Sequence, residues 1–203
     1  MKKFLLVFLL MICTNTYAQK LYVWAPKNEI PSPRPLFQKN DTINLSLFDG
    51  RTLTKKSKIE CSSQELINSI TNFIKTAYPN AYINAMPPQY YYEEAKDNVI
   101  TIKIGISAYH AAFGSDIKIG IGNLGGNFSY GIFPEGKWNA LTTLHVKIYD
   151  YRNNNKTIEE TIISKEASKP NMGGYRTAKN ILNTTYLNAN TEMLFFIDNV
   201  FMK

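Results

Sequence analysis

The sequence predicts an α+β domain of two layers: a mainly antiparallel sheet of five to six strands with two helices packed on one face. Three observations carry this expectation. From Ile100 onward every second residue is apolar, through Ile102, Ile104, Ile106 and Ala108, with Thr101, Lys103, Gly105 and Ser107 between them. A period of two marks a strand with one buried face. Two other stretches repeat at helical spacing: Leu66, Ile70, Phe73, Ile74 and Ala77, then Ala178, Leu182, Thr185, Ala189, Met193, Phe196 and Val200. The order strand, helix, several strands, helix suits helices segregated to one face of a sheet.

The chain opens with Met1-Lys2-Lys3, an apolar run from Phe4 to Ile12, and the small-residue site Thr16-Tyr17-Ala18. This is the three-part plan of a secretory signal peptide cleaved after Ala18. The apolar run falls well short of the roughly 20 residues that span a bilayer, which makes a membrane anchor the weaker reading. Lipidation at Cys13 is an alternative, although Ile12 stands where a lipoprotein signal carries a small residue. The expected organisation is a signal peptide over 1–18, a Pro-rich extended segment over 19–40, and a single α+β domain over 41–203. An exported protein follows, periplasmic, outer-membrane-associated or extracellular, with no transmembrane segment in the mature chain. Removing Lys2 and Lys3 turns 23 cations against 16 acids into 21 against 16, a net charge of +5 instead of +7. A mildly basic surface suits solubility and weak attraction to anionic envelope polymers, and nothing points to nucleic acid. Cys61 is then the only cysteine, so no internal disulfide can form and packing alone must hold the core.

Within the mature chain, Pro26, Pro31, Pro33 and Pro35 deny the backbone donors and fix φ, which predicts an extended linker. Tyr22, Val23 and Trp24 offer a way for it to dock. Ile43, Leu45 and Leu47 alternate as a first strand that ends in Asp49-Gly50-Arg51. Ser62 and Glu65 form a capping box at the start of the first helix, Cys61 and Leu66 are placed to act as a hydrophobic staple, and Pro79 stops the helix. A short strand over Ala81 to Ala85 precedes a loop carrying Pro87-Pro88 and Tyr90, Tyr91 and Tyr92. Beyond the central strand, Ile117, Ile119 and Ile121, and then Phe128, Tyr130 and Ile132, predict a hairpin or bulged edge around a glycine cluster. Leu144, Val146 and Ile148 form a strand that turns at Asn153-Asn154-Asn155 into Ile158 to Lys165. The C-terminal stripe predicts one long helix, or two that break near Asn188 to Asn190.

No set of residues amounts to a reaction centre. Gly120-Ile121-Gly122-Asn123-Leu124-Gly125 has the spacing of a dinucleotide fingerprint, yet a strand-like alternation follows it instead of the helix start that holds the pyrophosphate. Ser115-Asp116-Ile117-Lys118 matches S-x-x-K without its companion motifs. His110 and His145 are too few and too far apart for most metal grammars, and neither C-x-x-C nor H-E-x-x-H occurs. The expectation is therefore a non-enzyme with no metal and no cofactor. Amphipathic aromatics make Tyr90, Tyr91, Tyr92 and Trp138 candidate ligand contacts, and Arg51, Lys55, Lys56 and Lys58 a candidate contact for an anionic surface.

The strand ending in Leu47-Phe48-Asp49-Gly50-Arg51, the amphipathic helix, the isoleucine-rich strand, the hairpin from Leu144 to Lys165 and the C-terminal helix together resemble the small envelope lipoproteins of the YajG type. Asp41-Thr42-Ile43 is similar to the Asp-Thr-aliphatic O-glycosylation site of Bacteroidetes secreted proteins. The resemblance implies an envelope protein without catalysis. The expected role is an exported accessory protein that binds an unknown envelope protein; the alternative is a carbohydrate or small-ligand binding module built on the tyrosine loop.

Overall fold

The computed structural model describes residues 20–39, 41–53, 57–96, 98–114, 136–152 and 156–202, together with the backbone of 117–120 and 129–132. The signal peptide and Cys13, the central residues of the glycine cluster, Ser115 and Asp116, Lys55 and Lys56, and the turn at 153–155 lie outside the described residues.

The alternating run around Ile104 is strand β5 (Ile100–Phe113), and the rest of the sheet is laid out from it. Along one edge it pairs antiparallel with β8 (Lys137–Asp150), which in turn pairs antiparallel with β9 (Thr157–Pro170). Its other edge is divided between two strands. β2 (Thr42–Asp49) runs parallel to the first half, from Ile43 opposite Ile100 to Asp49 opposite Ile106; β1 (Leu21–Trp24) pairs antiparallel near the end, with Leu21 opposite Ala112. β4 (Tyr82–Met86) extends β2 and β3 (Lys58–Glu60) extends β1, each in parallel. β6 (Ile117–Gly120) and β7 (Ser129–Ile132) form a separate antiparallel pair, as the hairpin reading expects.

The main sheet therefore has seven strands and is mixed, curled as a half-barrel, which corrects the expectation of a mainly antiparallel sheet of five to six strands. Hydrophobic period identifies a strand but not the direction of its neighbour. Here the long connections from β2 through helix α1 (Ser63–Ala77) to β4, and from β4 through the tyrosine loop to β5, return the chain to start each strand in the same direction.

The Pro-rich segment is not a plain linker. Its first residues are β1, and Val23 and Trp24 are buried. Farther along, the Arg34 amide donates to Ala77 O, one of the carbonyls a helix C-terminus leaves without an internal partner. The Arg34 guanidinium pairs with Asp198, and Phe37 packs edge-on against Tyr78 and Phe201. Four prolines prevent this stretch from forming a ladder, but leave it free to run as a strap across the ends of both helices.

α1 follows its sequence signals closely. Ser62 Oγ accepts from the Glu65 amide at 3.2 Å, and the Glu65 carboxylate accepts from the Ser62 amide at 2.7 Å. Leu66, Ile70, Phe73, Ile74 and Ala77 are all buried, and Cys61 lies in the same core. The C-terminal stripe is one helix, α2 (Tyr175–Phe201), packed on β8, β9 and β5.

A β-bulge re-aims the central strand. The register between β5 and β8 shifts between Ile106 and Ala108, so Ser107 is the extra residue. Ile100, Ile102, Ile104 and Ile106 face the helices, and after the bulge Tyr109 and Ala111 take over that side. Ala108 and His110 are thereby turned to the opposite face, a reversal that strict alternation does not foresee. Tyr109 uses its new position to donate to Trp24 O at 2.8 Å and to pack edge-on against Tyr186 of α2.

Candidate functional site

The face of the sheet away from the helices is built in rows across five strands. Register places Asn84, Asn44, Thr101, Tyr149 and Ile158 in one row and Met86, Ser46, Lys103, Lys147 and Glu160 in the next, followed by Phe48, Gly105, His145 and Ile162. Alternation assigns these polar residues to solvent. The structure instead buries Asn44, Ser46, Thr101, Lys103 and His145, because the tyrosine loop folds back as a lid.

The lid begins with a 3-10 turn at Pro88–Tyr91, where Pro88 supplies a pre-set φ at the turn's start. Tyr91 stacks on Phe48 at 5.7 Å, and its hydroxyl lies 3.5 Å from His145 Nδ1, so the ring bridges the two sides of Gly105. Burial pushes the Tyr91 hydroxyl up to about 12. The same burial, with the Lys147 charge, holds the His145 imidazole below its ordinary value, opposed by Glu160 at 3.6 Å from Nε2. Tyr90 is half-buried and Tyr92 is exposed. Farther along the lid, Glu93 offers its main-chain carbonyl to the Lys103 ammonium.

The candidate ligand residues are thus divided. Trp138 lies seven positions from His145 on β8, on the helix side, with its indole N–H donating to Asn171 Oδ1 at 2.9 Å. Its neighbours are Tyr22, Phe113 and Tyr175, not the tyrosine loop. Of the basic candidates, Arg51 points inward: its guanidinium is bidentate to Asp49, and the two side chains are 2% and 7% exposed. Burial raises the Asp49 carboxyl, but the Arg51 hydrogen bonds outweigh it and hold the group below the usual carboxylate range. Lys58 is exposed and spanned by Glu60 at 2.8 Å.

A feature absent from the sequence reading is the outer edge of β9. Among the described residues this strand of 14 residues pairs only with β8. Ile158 and Ile162, two steps apart on the face opposite the helices, are 57% and 48% exposed. Their exposure follows from the pleat: the odd positions, led by Ile163, fill the core under α2, leaving the even ones outside. The Ile158 to Lys165 run identifies the strand, but not that it is an edge. Among the described residues no group of three or more metal-ligating side chains comes together, and no helix is long and apolar enough to cross a membrane.

No family model matches the chain, and no curated protein does. Three solved structures align over most of it. A Xanthomonas campestris protein of the DUF330 family is 10% identical, covering 84% of this chain and 91% of its own, with a TM-score of 0.45. A hypothetical protein of Chlamydia trachomatis is 8% identical over 80% of this chain and 99% of its own, TM-score 0.45. A Helicobacter pylori protein described as a neuraminyllactose-binding hemagglutinin homologue is 9% identical over 86% and 90%, TM-score 0.43. All three are distant similarities in chain path.

Proposed function

We propose that the chain is an exported, non-enzymatic envelope protein, periplasmic or outer-membrane-associated, that acts by binding a partner protein along the edge of β9. Its N-terminal signal grammar supports export. The observation that carries the binding mode is a 14-residue strand edge, paired on one side only among the described residues, with Ile158 and Ile162 exposed beside it. An edge presents a row of N–H and C=O groups that an extended segment can complete, while alternate side chains give specificity. The opposite edge, β4, has five residues and offers a shorter ladder. The partner is expected to contribute an extended segment with apolar residues at alternate positions. Both isoleucines are already about half covered, so enclosing the remainder would contribute on the order of 1 kcal/mol for each. A sugar-binding surface on the tyrosine loop has less support, since only Tyr92 of the three rings is exposed.

The test is a crosslinked pull-down of tagged mature protein from its own cell envelope, comparing wild type with an Ile158→Lys/Ile162→Lys double variant. One stoichiometric partner, captured by wild type and lost with the variant at unchanged melting temperature, is the expected result. Equal capture by both proteins, or none by wild type, rejects this mode of binding.

A further inference from the structure

Beneath the tyrosine lid, between β2 and β5, lies a cavity of about 20 Å³ walled by Ser46, Thr101 and Lys103 from the sheet and by Tyr90 and Glu94 from the lid. That volume holds one species of about the size of a water molecule. Two independent features of the wall describe what it accepts. Ser46 Oγ and Thr101 Oγ1 are buried without a hydrogen-bond partner, in residues only 1% and 6% exposed. A buried hydroxyl left unsatisfied is costly, and two around one cavity mark a place where a ligand supplies the missing bonds.

The second feature is charge. Lys103 is 4% exposed, and its ammonium donates to the Glu93 carbonyl; no carboxylate among the described residues lies within ion-pair reach of it. Its row neighbour Lys147 is neutralised by Glu160 at 3.0 Å. Lys103 therefore holds a buried positive charge that meets the neutral Glu93 carbonyl and, at 5.2 Å, the face of the Tyr149 ring, with the Glu93 charge acting from farther off. A charge without a carboxylate in direct contact leaves room for a negative guest. Glu94 comes to the cavity from an exposed position on the lid, and the Lys96 ammonium lies 5.8 Å from the Tyr90 ring centre. A cation is a poor fit beside the Lys103 ammonium.

We infer that this cavity binds one small monovalent anion, a halide or the carboxylate end of a short acid, held by the Ser46 and Thr101 hydroxyls and the Lys103 ammonium beneath the tyrosine lid. Both sources share the same recognition chemistry, a compact negative charge that accepts two O–H donors and one N–H donor. The site is separate from the β9 edge and does not depend on what binds there.

Thermal unfolding of the mature protein at fixed pH and ionic strength tests it, with chloride, bromide or acetate replacing bulky methanesulfonate. The expected result is a saturable rise in Tm of about 2–4 °C. The rise is lost in a Ser46→Ala/Thr101→Val double variant whose Tm in the reference salt equals or exceeds that of wild type, because the orphaned hydroxyls are gone. Lys103→Met also loses the response. A halide response identifies an inorganic guest and a response to acetate alone identifies a carboxylate; either sustains the site. Bromide-soaked crystals should then show an anomalous peak within hydrogen-bond distance of both hydroxyls. No saturable response to any of the three anions, a response undiminished in the double variant, or a water alone at the site overturns the inference.

Discussion

On the helix side of β5, Ile100, Ile102, Ile104 and Ile106 join one continuous apolar core with α1 and α2; on the other side Thr101 and Lys103 are also buried, but the Thr101 hydroxyl has no hydrogen-bond partner and the Lys103 ammonium meets a carbonyl and an aromatic ring instead of a carboxylate. Burial alone does not separate the two faces. What differs is the cover. Two long helices exclude water from the first face, whereas a short loop pinned by Tyr91 between Phe48 and His145 covers part of the second and leaves Ile158 and Ile162 outside it. The first face carries the continuous apolar core, and the second carries the exposed isoleucines beside an edge of β9 that, among the described residues, has no partner strand, the feature on which the proposed binding rests.

The largest expected effects fall on the helix side. Asp49→Ala leaves the buried Arg51 guanidinium without its counter-ion and should cost about 3–5 kcal/mol in urea unfolding. A loss below about 1 kcal/mol would mean that water reaches the pair. Ile104→Ala, in the middle of the apolar row, is expected to cost about 2–5 kcal/mol by the same measurement.

Acid should act on the second face before the first. Because the His145 imidazole is held below its ordinary value of 6.5, the unfolded chain binds its proton first as pH falls. The stability that neutral His145 contributes is complete above 6.5 and is lost as pH drops through the lower folded value. Asp49 and Asp150, held below 3.8, withdraw their contributions only in stronger acid. His145→Gln should therefore flatten the dependence of unfolding free energy between pH 7 and 5, and an unchanged slope would place the responsible group elsewhere. The smallest effect belongs to Thr101→Val, which replaces an unpartnered hydroxyl by a methyl of similar shape. It is expected to stay within about 0.5 kcal/mol of wild type, or to stabilise.

Much of the helix side is legible from the chain itself. Ser62 and Glu65 announce α1, its five-residue stripe is the buried one, and alternation finds β2, β5, β8 and β9. β1 and β3 escape because four and three residues are too few for a period, and the prolines that follow Trp24 suggest a linker. The parity change at Ser107 is invisible because a bulge depends on the partner strand's register. The second face is harder still. Asn44, Ser46, Thr101 and Lys103 look solvent-facing until a loop some distance away folds over them, and neither the tyrosines that cover the face nor Trp138 can be sorted without knowing on which side of the sheet they lie. An edge strand has the same alternation as any half-buried strand; what distinguishes β9 is that, among the described residues, it pairs on one side only.

Site-specific photo-crosslinking in the native cell envelope decides whether a partner binds at the β9 edge, with the reactive residue placed at Ile162 and, as the comparison, at Tyr82 on the opposite edge strand β4. A discrete crosslinked partner is expected from position 162 and none from position 82. Crosslinking from 82 alone, or to the same protein with equal yield from both positions, would contradict it.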